Sequence, residues 1–67
     1  MSIAKVSEIS ATSTKGFADA IEQGIARSHK TLRNVRSAWV KAQPVRVVEG
    51  AIAEFQVNLM VTFVIDD

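Results

Sequence analysis

The side chains best suited to binding chemistry in this sequence are one tryptophan and one glutamine on two predicted β-strands. Trp39 is the only Trp among the 67 residues. Trp offers a broad face for stacking, and the amide of Gln56 presents a donor and an acceptor together. Side chains of these two types suit a planar heterocycle, with the indole on its plane and the amide at its edge. Trp is also enriched at subunit interfaces, so the residues alone leave both interpretations open.

Residues of the types that enzymes use do not occur at catalytic spacings. The sequence contains no Cys and one His, His29, which excludes disulfides and thiolate metal sites and argues against a structural zinc. We find no nucleophile–base pair and no glycine-rich phosphate loop. The sequence therefore predicts a protein that is not an enzyme and that requires no metal.

The basic side chains are concentrated in the middle of the chain, in a run without any acid. This run could bind phosphates, either of a nucleic acid or of a nucleotide cofactor. It lacks the interleaved aromatic residues that stack on bases, and the net charge is only +1. We therefore favour pairing with acids of neighbouring subunits, and no nucleic-acid partner. The run comprises Arg27, Lys30, Arg33, Arg36, Lys41 and Arg46, and the acids are Glu8, Glu49, Glu54, Asp66 and Asp67.

The first half of the chain predicts a strand and a helix. Ile3–Ile9 has weak strand character, and the following "SATSTKG" is typical of a turn and a helix N-cap. Apolar residues then recur at helical spacing, which predicts a helix over Thr14–Asn34. Small residues at Ala20 and Gly24 leave room for a strand to approach this helix. The apolar positions are Phe17, Ile21, Ile25 and Leu32.

The second half predicts a long hairpin whose apolar face covers the helix. Its last strand, Ala51–Ile65, alternates so regularly that we place it in the centre of a three-stranded antiparallel sheet. The apolar phase of the preceding strand flips at Pro44, which indicates a β-bulge at Gln43-Pro44. A short loop at Glu49-Gly50-Ala51 would then pair Val47 with Ala53.

Matching the apolar faces of the two hairpin strands fixes the remaining pairs. The polar face receives Trp39 opposite Met60 and Ser37 opposite Thr62, whereas one helix covers only the other face. This polar face therefore needs water, another subunit or a ligand. The predicted pairs also include Val45 with Phe55, Ala42 with Val57, Val40 with Leu59, Ala38 with Val61, and Lys41 with Asn58.

The size of the chain predicts a single domain, residues 1–67, that works as a subunit. Sixty-seven residues are near the lower limit for an independent core, yet 48% of them are hydrophobic. Small scaffolds without disulfides or metals commonly gain stability by oligomerising. No segment resembles a signal peptide or a membrane span, which predicts a cytoplasmic protein without a membrane partner.

The whole chain resembles the dodecins. The resemblance covers "KVSEISATS", "GFADAIEQGIARSHKTLRNV", "SAWVKAQPVRVVEG" and "AIAEFQVNLMVTFVIDD", and it rests on length, element order and the spacings of the last strand. It implies an α+β fold, a β-α-β-β subunit with an antiparallel sheet wrapped around one helix. It also implies a hollow homododecamer.

The resemblance further implies a function in flavin storage and protection from light, without turnover. Flavin-binding dodecins stack riboflavin, FMN or lumichrome between Trp side chains, and a Gln on the last strand hydrogen-bonds the ring edge. Gln56 matches that Gln, whereas the usual Trp position, nineteen residues earlier, is Ser37. Trp39 follows two residues later, which moves the ring by about 7 Å along the same strand face. The alternative is a flavin-free, dodecin-like shell for another small ligand or ion.

Overall fold

A computed structural model of the protein describes residues 3–65. The chain forms strand β1 (Ile3–Ser13), helix α1 (Phe17–Thr31), strands β2 (Val35–Ala42) and β3 (Val45–Val48), and strand β4 (Ala51–Ile65). All strand pairs are antiparallel, in the order β1-β4-β2, and β3 pairs with β4 as the continuation of β2. The predicted β-α-β-β architecture with the last strand in the centre is confirmed.

The helix lies on one side of the sheet, mainly against β1 and β4. Alternation places Val57, Leu59 and Val61 beneath it, each at most 1% exposed. The predicted close approach at Gly24 is confirmed, since a Cβ there would lie 3.2 Å from both the Ala11 Cβ and the Leu59 Cδ1 atoms.

The ends of the first two elements differ from the prediction. Strand β1 continues to Ser13, and helix α1 is shorter than Thr14–Asn34 at both ends. The Ser13 hydroxyl accepts from the Lys15 N–H and donates to Asp19, so it organises the turn. The helix begins after Gly16 with no side-chain cap, and the predicted Ser/Thr N-cap is wrong.

The bulge of the hairpin lies earlier than predicted. The register shifts by one residue between Val40 and Ala42, so Lys41 is the extra residue and Ala42 pairs with Asn58. The predicted pairs of Lys41 with Asn58 and of Ala42 with Val57 are therefore wrong. Pro44 lies in the break between β2 and β3, where its carbonyl accepts from the Gln56 N–H.

The hairpin turn is one residue shorter than predicted. Glu49 and Gly50 both have positive φ, 51° and 79°, and this is the backbone of a two-residue type I′ turn. Val48 therefore pairs with Ala51 and Val47 with Ile52, and the register shift that follows restores the predicted pair of Val45 with Phe55.

Of the hairpin, only the β4 strand covers the helix as expected, because α1 lies over β1 and β4. The apolar residues of β2 and β3 remain exposed, including Val40 at 36% and Val47 at 58%. The molecule is accordingly elongated, 52 × 18 × 14 Å, with a radius of gyration of 13.8 Å, against about 11 Å for a compact domain of this length. Within residues 3–65, no helix has the length and hydrophobicity to cross a bilayer.

Candidate functional site

The candidate site is the sheet face opposite the helix, which we call the outer face. The even-numbered residues of the central strand β4 point towards it, because side chains alternate along a strand. Trp39 lies opposite Met60 and Ser37 opposite Thr62, as predicted. On the other edge, β1 places Glu8 opposite Met60 and Ser10 opposite Asn58.

Trp39 is held in a regular stretch of β2 and is 52% exposed. Pairing proceeds without interruption from Ser37 to Val40, and the register irregularities lie before and after this stretch. No local slip therefore moves the indole relative to Ser37. Its large apolar surface is open to a neighbouring subunit or to a flat ligand.

Gln56 lies on the same face but farther along β4. It pairs with Thr12 on β1 and is separated by four residues from Met60, the partner of Trp39. That separation corresponds to about 13 Å along the strand. Because Ser37 pairs two residues beyond Met60, Trp39 is nearer to Gln56 than an aromatic ring at position 37 would be.

Asn58 lies between these two residues, and sequence reasoning missed it. Its Oδ1 accepts from the Ser10 hydroxyl at 2.7 Å and from Gln56 Nε2 at 3.1 Å. The pattern predicted its face but not its partners. The signal that could have identified it is its position two residues after Gln56, on the same face of the same strand.

Charged groups also border the outer face. Lys41 Nζ lies 3.2 Å from Glu8 Oε1, and Arg46 Nε lies 3.5 Å from Glu54 Oε1. These two acids were expected to pair with basic residues of neighbouring subunits, so the structure corrects that expectation for them. Asp66 and Asp67, also assigned to such pairs, lie outside the described residues.

The described residues form no cluster of three or more His, Asp or Glu that could hold a metal ion. His29 is exposed on the helix and lines an apolar groove with Ile21, Ile25 and Val35. It lies on the opposite side of the sheet from Trp39. The outer face therefore supplies stacking and neutral hydrogen bonds beside these ion pairs, and it suits binding of a planar ring system.

Comparison with known proteins identifies similar chains over the full length. The sequence model of the dodecin family matches residues 3–66. The fold is similar to the dodecin from Streptomyces davaonensis, with a TM-score of 0.93 and 33% identity over 98% of this chain and 97% of that chain. No curated protein sequence matches significantly.

Two other solved structures are equally similar in fold. An arginine-to-alanine variant of Thermus thermophilus dodecin gives a TM-score of 0.93 and 33% identity, and the match covers 100% of both chains. The dodecin from Streptomyces coelicolor gives a TM-score of 0.93 and 26% identity, covering 98% of this chain and 94% of that chain.

Proposed function

Because the chain belongs to the dodecin family, we propose that it assembles as a hollow homododecamer that binds and stores a flavin without turning it over. Homododecameric assembly is known for the family. Dodecins are small, non-enzymatic flavin-binding proteins. The guest would be riboflavin, FMN or lumichrome, and the assembly would act in the cytoplasm without nucleic acid or a membrane as partner.

The exposed apolar surface supports self-assembly. Among the described residues, the buried hydrophobic core consists of four, and small domains with so little buried surface are marginally stable alone. The accessible surface of 4841 Å² exceeds the roughly 4,200 Å² expected for a compact monomer of this mass. Large apolar side chains remain exposed along the hairpin and on β1. They include Ile3, Val6, Val45, Val47, Val48 and Ile52.

The half-exposed indole is the observation that carries the flavin proposal. Trp39 shares the outer face with Gln56, and assembly would enclose this face. Trp39 would stack on the isoalloxazine ring and Gln56 would hydrogen-bond its edge. Ser37, at the usual position of the aromatic ring, would border the guest as a small hydroxyl group.

Riboflavin titration of wild type and Trp39→Ala tests this proposal. We expect the wild-type assembly to quench riboflavin fluorescence near stoichiometry, and Trp39→Ala to lose quenching while native mass spectrometry still shows the dodecamer. Val6→Ala is the matched control, because Val6 is another exposed apolar residue of the outer face. Dissociation of the Trp39→Ala assembly would instead identify Trp39 as an interface residue.

A second candidate function is a flavin-free shell for another small ligand or ion. The observation in its favour is the regular pairing of Ser37–Val40, which leaves Trp39 two residues away from the usual aromatic position. A dodecameric mass without quenching of riboflavin, FMN or lumichrome would establish this alternative.

A further inference from the structure

We infer that Asn58 is a specificity-determining residue that donates a hydrogen bond to the edge of a ring stacked on Trp39 of the same subunit. The inference rests on the proposed function and adds a residue to its site. The ligand class is a planar heterocycle with a carbonyl oxygen or an unprotonated ring nitrogen at its edge.

Asn58 is the first polar residue of β4 between Trp39 and Gln56. It lies two residues before Met60, the cross-strand partner of Trp39, and therefore about 7 Å along the strand. Gln56 lies twice as far away. A ring that extends from the indole towards Gln56 therefore reaches the Asn58 amide before it reaches Gln56.

The bulge of β2 determines which side chain lies beside Asn58. Its partner on β2 is Ala42, because Lys41 is the extra residue of the bulge. Lys41 reaches instead to Glu8 on the opposite edge of the sheet. The register shift thus puts the methyl group of Ala42 opposite the amide, while the exposed Lys41–Glu8 pair crosses β4 beside it, so a ring that reaches Asn58 from Trp39 would lie over this pair.

The two hydrogen bonds that Asn58 accepts determine which group it can offer a ligand. A carbonyl oxygen has two lone pairs, and those of Asn58 Oδ1 are taken by the Ser10 hydroxyl and Gln56 Nε2. What Asn58 can still offer a ligand is its Nδ2 donor. Ser10 and Gln56 act here as positioning residues that fix which end of the amide faces the ring.

The opposite direction along the strand offers no comparable group. Thr62 lies two residues after Met60 and pairs with Ser37. Hydroxyl groups rotate and serve as donor or acceptor, so this pair imposes no fixed polarity. An amide held at two points is preorganised, and preorganisation lowers the cost of binding.

Two flat probes separate recognition from general packing. Riboflavin carries carbonyl acceptors at its ring edge, whereas protonated proflavine is a flat tricyclic cation whose edge carries only donors. We expect Asn58→Leu to weaken riboflavin binding about tenfold and to leave proflavine binding unchanged. Asn58→Asp keeps the size but lacks the donor, and we expect the same loss of riboflavin affinity, whereas its added negative charge would attract cationic proflavine. Thr62→Val is the matched control on the same strand and face, and it should bind both probes like wild type.

Each other outcome overturns the inference. An equal loss of both probes in Asn58→Leu would mean that Asn58 only supports packing. A larger loss of riboflavin affinity in Thr62→Val than in the Asn58 variants would place the ring on the other side of Trp39. Wild-type binding in both Asn58 variants would remove Asn58 from the site while leaving the proposed function intact. A wild-type assembly that binds no riboflavin would overturn the proposed function together with the inference.

Discussion

Lys41 and Glu8 form an ion pair across the central strand, with Nζ 3.2 Å from Oε1. Lys41 is the extra residue of the β2 bulge, and Glu8 lies on β1 opposite Met60. The pair therefore spans the outer face beside Trp39. Its side chains are 57% and 44% exposed in one subunit, and such exposed pairs contribute little to stability.

The proposed assembly would change the energetics of this ion pair, because enclosing the outer face would remove water from it. We expect Lys41→Met and Glu8→Gln each to lower the thermal dissociation temperature of the assembly, since each leaves one charge without its partner. The double variant should lose less stability than the two single variants together, and the difference is a coupling free energy of about 1 kcal/mol. Thermal unfolding of the four proteins followed by circular dichroism measures this coupling. A coupling near zero would show that the face stays wet in the assembly.

The fold was largely predictable because one strand has an unusually regular pattern. Alternation through Val57, Leu59 and Val61 identified the residues that the structure buries. A one-residue slip would turn every one of them towards the outer face. This constraint also fixed the pairs of Trp39 with Met60 and of Ser37 with Thr62, which the structure confirms.

The position of the bulge could not be predicted for a physical reason. One extra residue was needed between Val40 and Val45, and Pro44 was the obvious place because it cannot donate to the ladder. Ala42 is small enough to face either side of the sheet, so the apolar pattern is satisfied with the bulge at Lys41 as well. The partners of Asn58 depend on that choice, and this is why the candidate site was only partly visible in the sequence.

Gly24 is tightly enclosed, which predicts a destabilising effect of Gly24→Ala. Helix propensity alone would favour Ala by about 1 kcal/mol. The added Cβ, however, would lie 3.2 Å from atoms of Ala11 and Leu59, and overpacking of this kind costs about 1–3 kcal/mol. We expect a net loss of about 1 kcal/mol in the free energy of unfolding, measured by urea denaturation.

The control for this prediction is Ala26→Gly, at an exposed position of the same helix. It reports the propensity difference without any change in packing, so it should cost about 1 kcal/mol. A Gly24→Ala variant that is more stable than wild type would show that β1 can move away from the helix at little cost.

Glu49 occupies a backbone conformation that favours other residues. Its φ of 51° lies next to Gly50 with a φ of 79°, and Asn-Gly is the preferred sequence of such type I′ turns. We expect Glu49→Asn to raise the stability of each subunit by about 0.5 kcal/mol, seen as a higher midpoint in urea. Glu49→Val, with a β-branched side chain, is the contrasting variant and should lower the midpoint. Equal midpoints for both variants would contradict the turn assignment.

Val47 distinguishes the stability of the subunit from that of the assembly. It is 58% exposed in the subunit, so the isolated chain gains little from its apolar side chain. If neighbouring subunits cover Val47, replacing one of its methyl groups by a hydroxyl removes about 1 kcal/mol of burial free energy per subunit. We expect Val47→Thr, which keeps the β-branched shape, to shift the assembly towards smaller species at micromolar concentration in sedimentation velocity. Ala18→Ser, an exposed helix residue, is the control that should keep the wild-type mass. An unchanged mass for Val47→Thr at every dilution would show that β3 remains outside the subunit contacts.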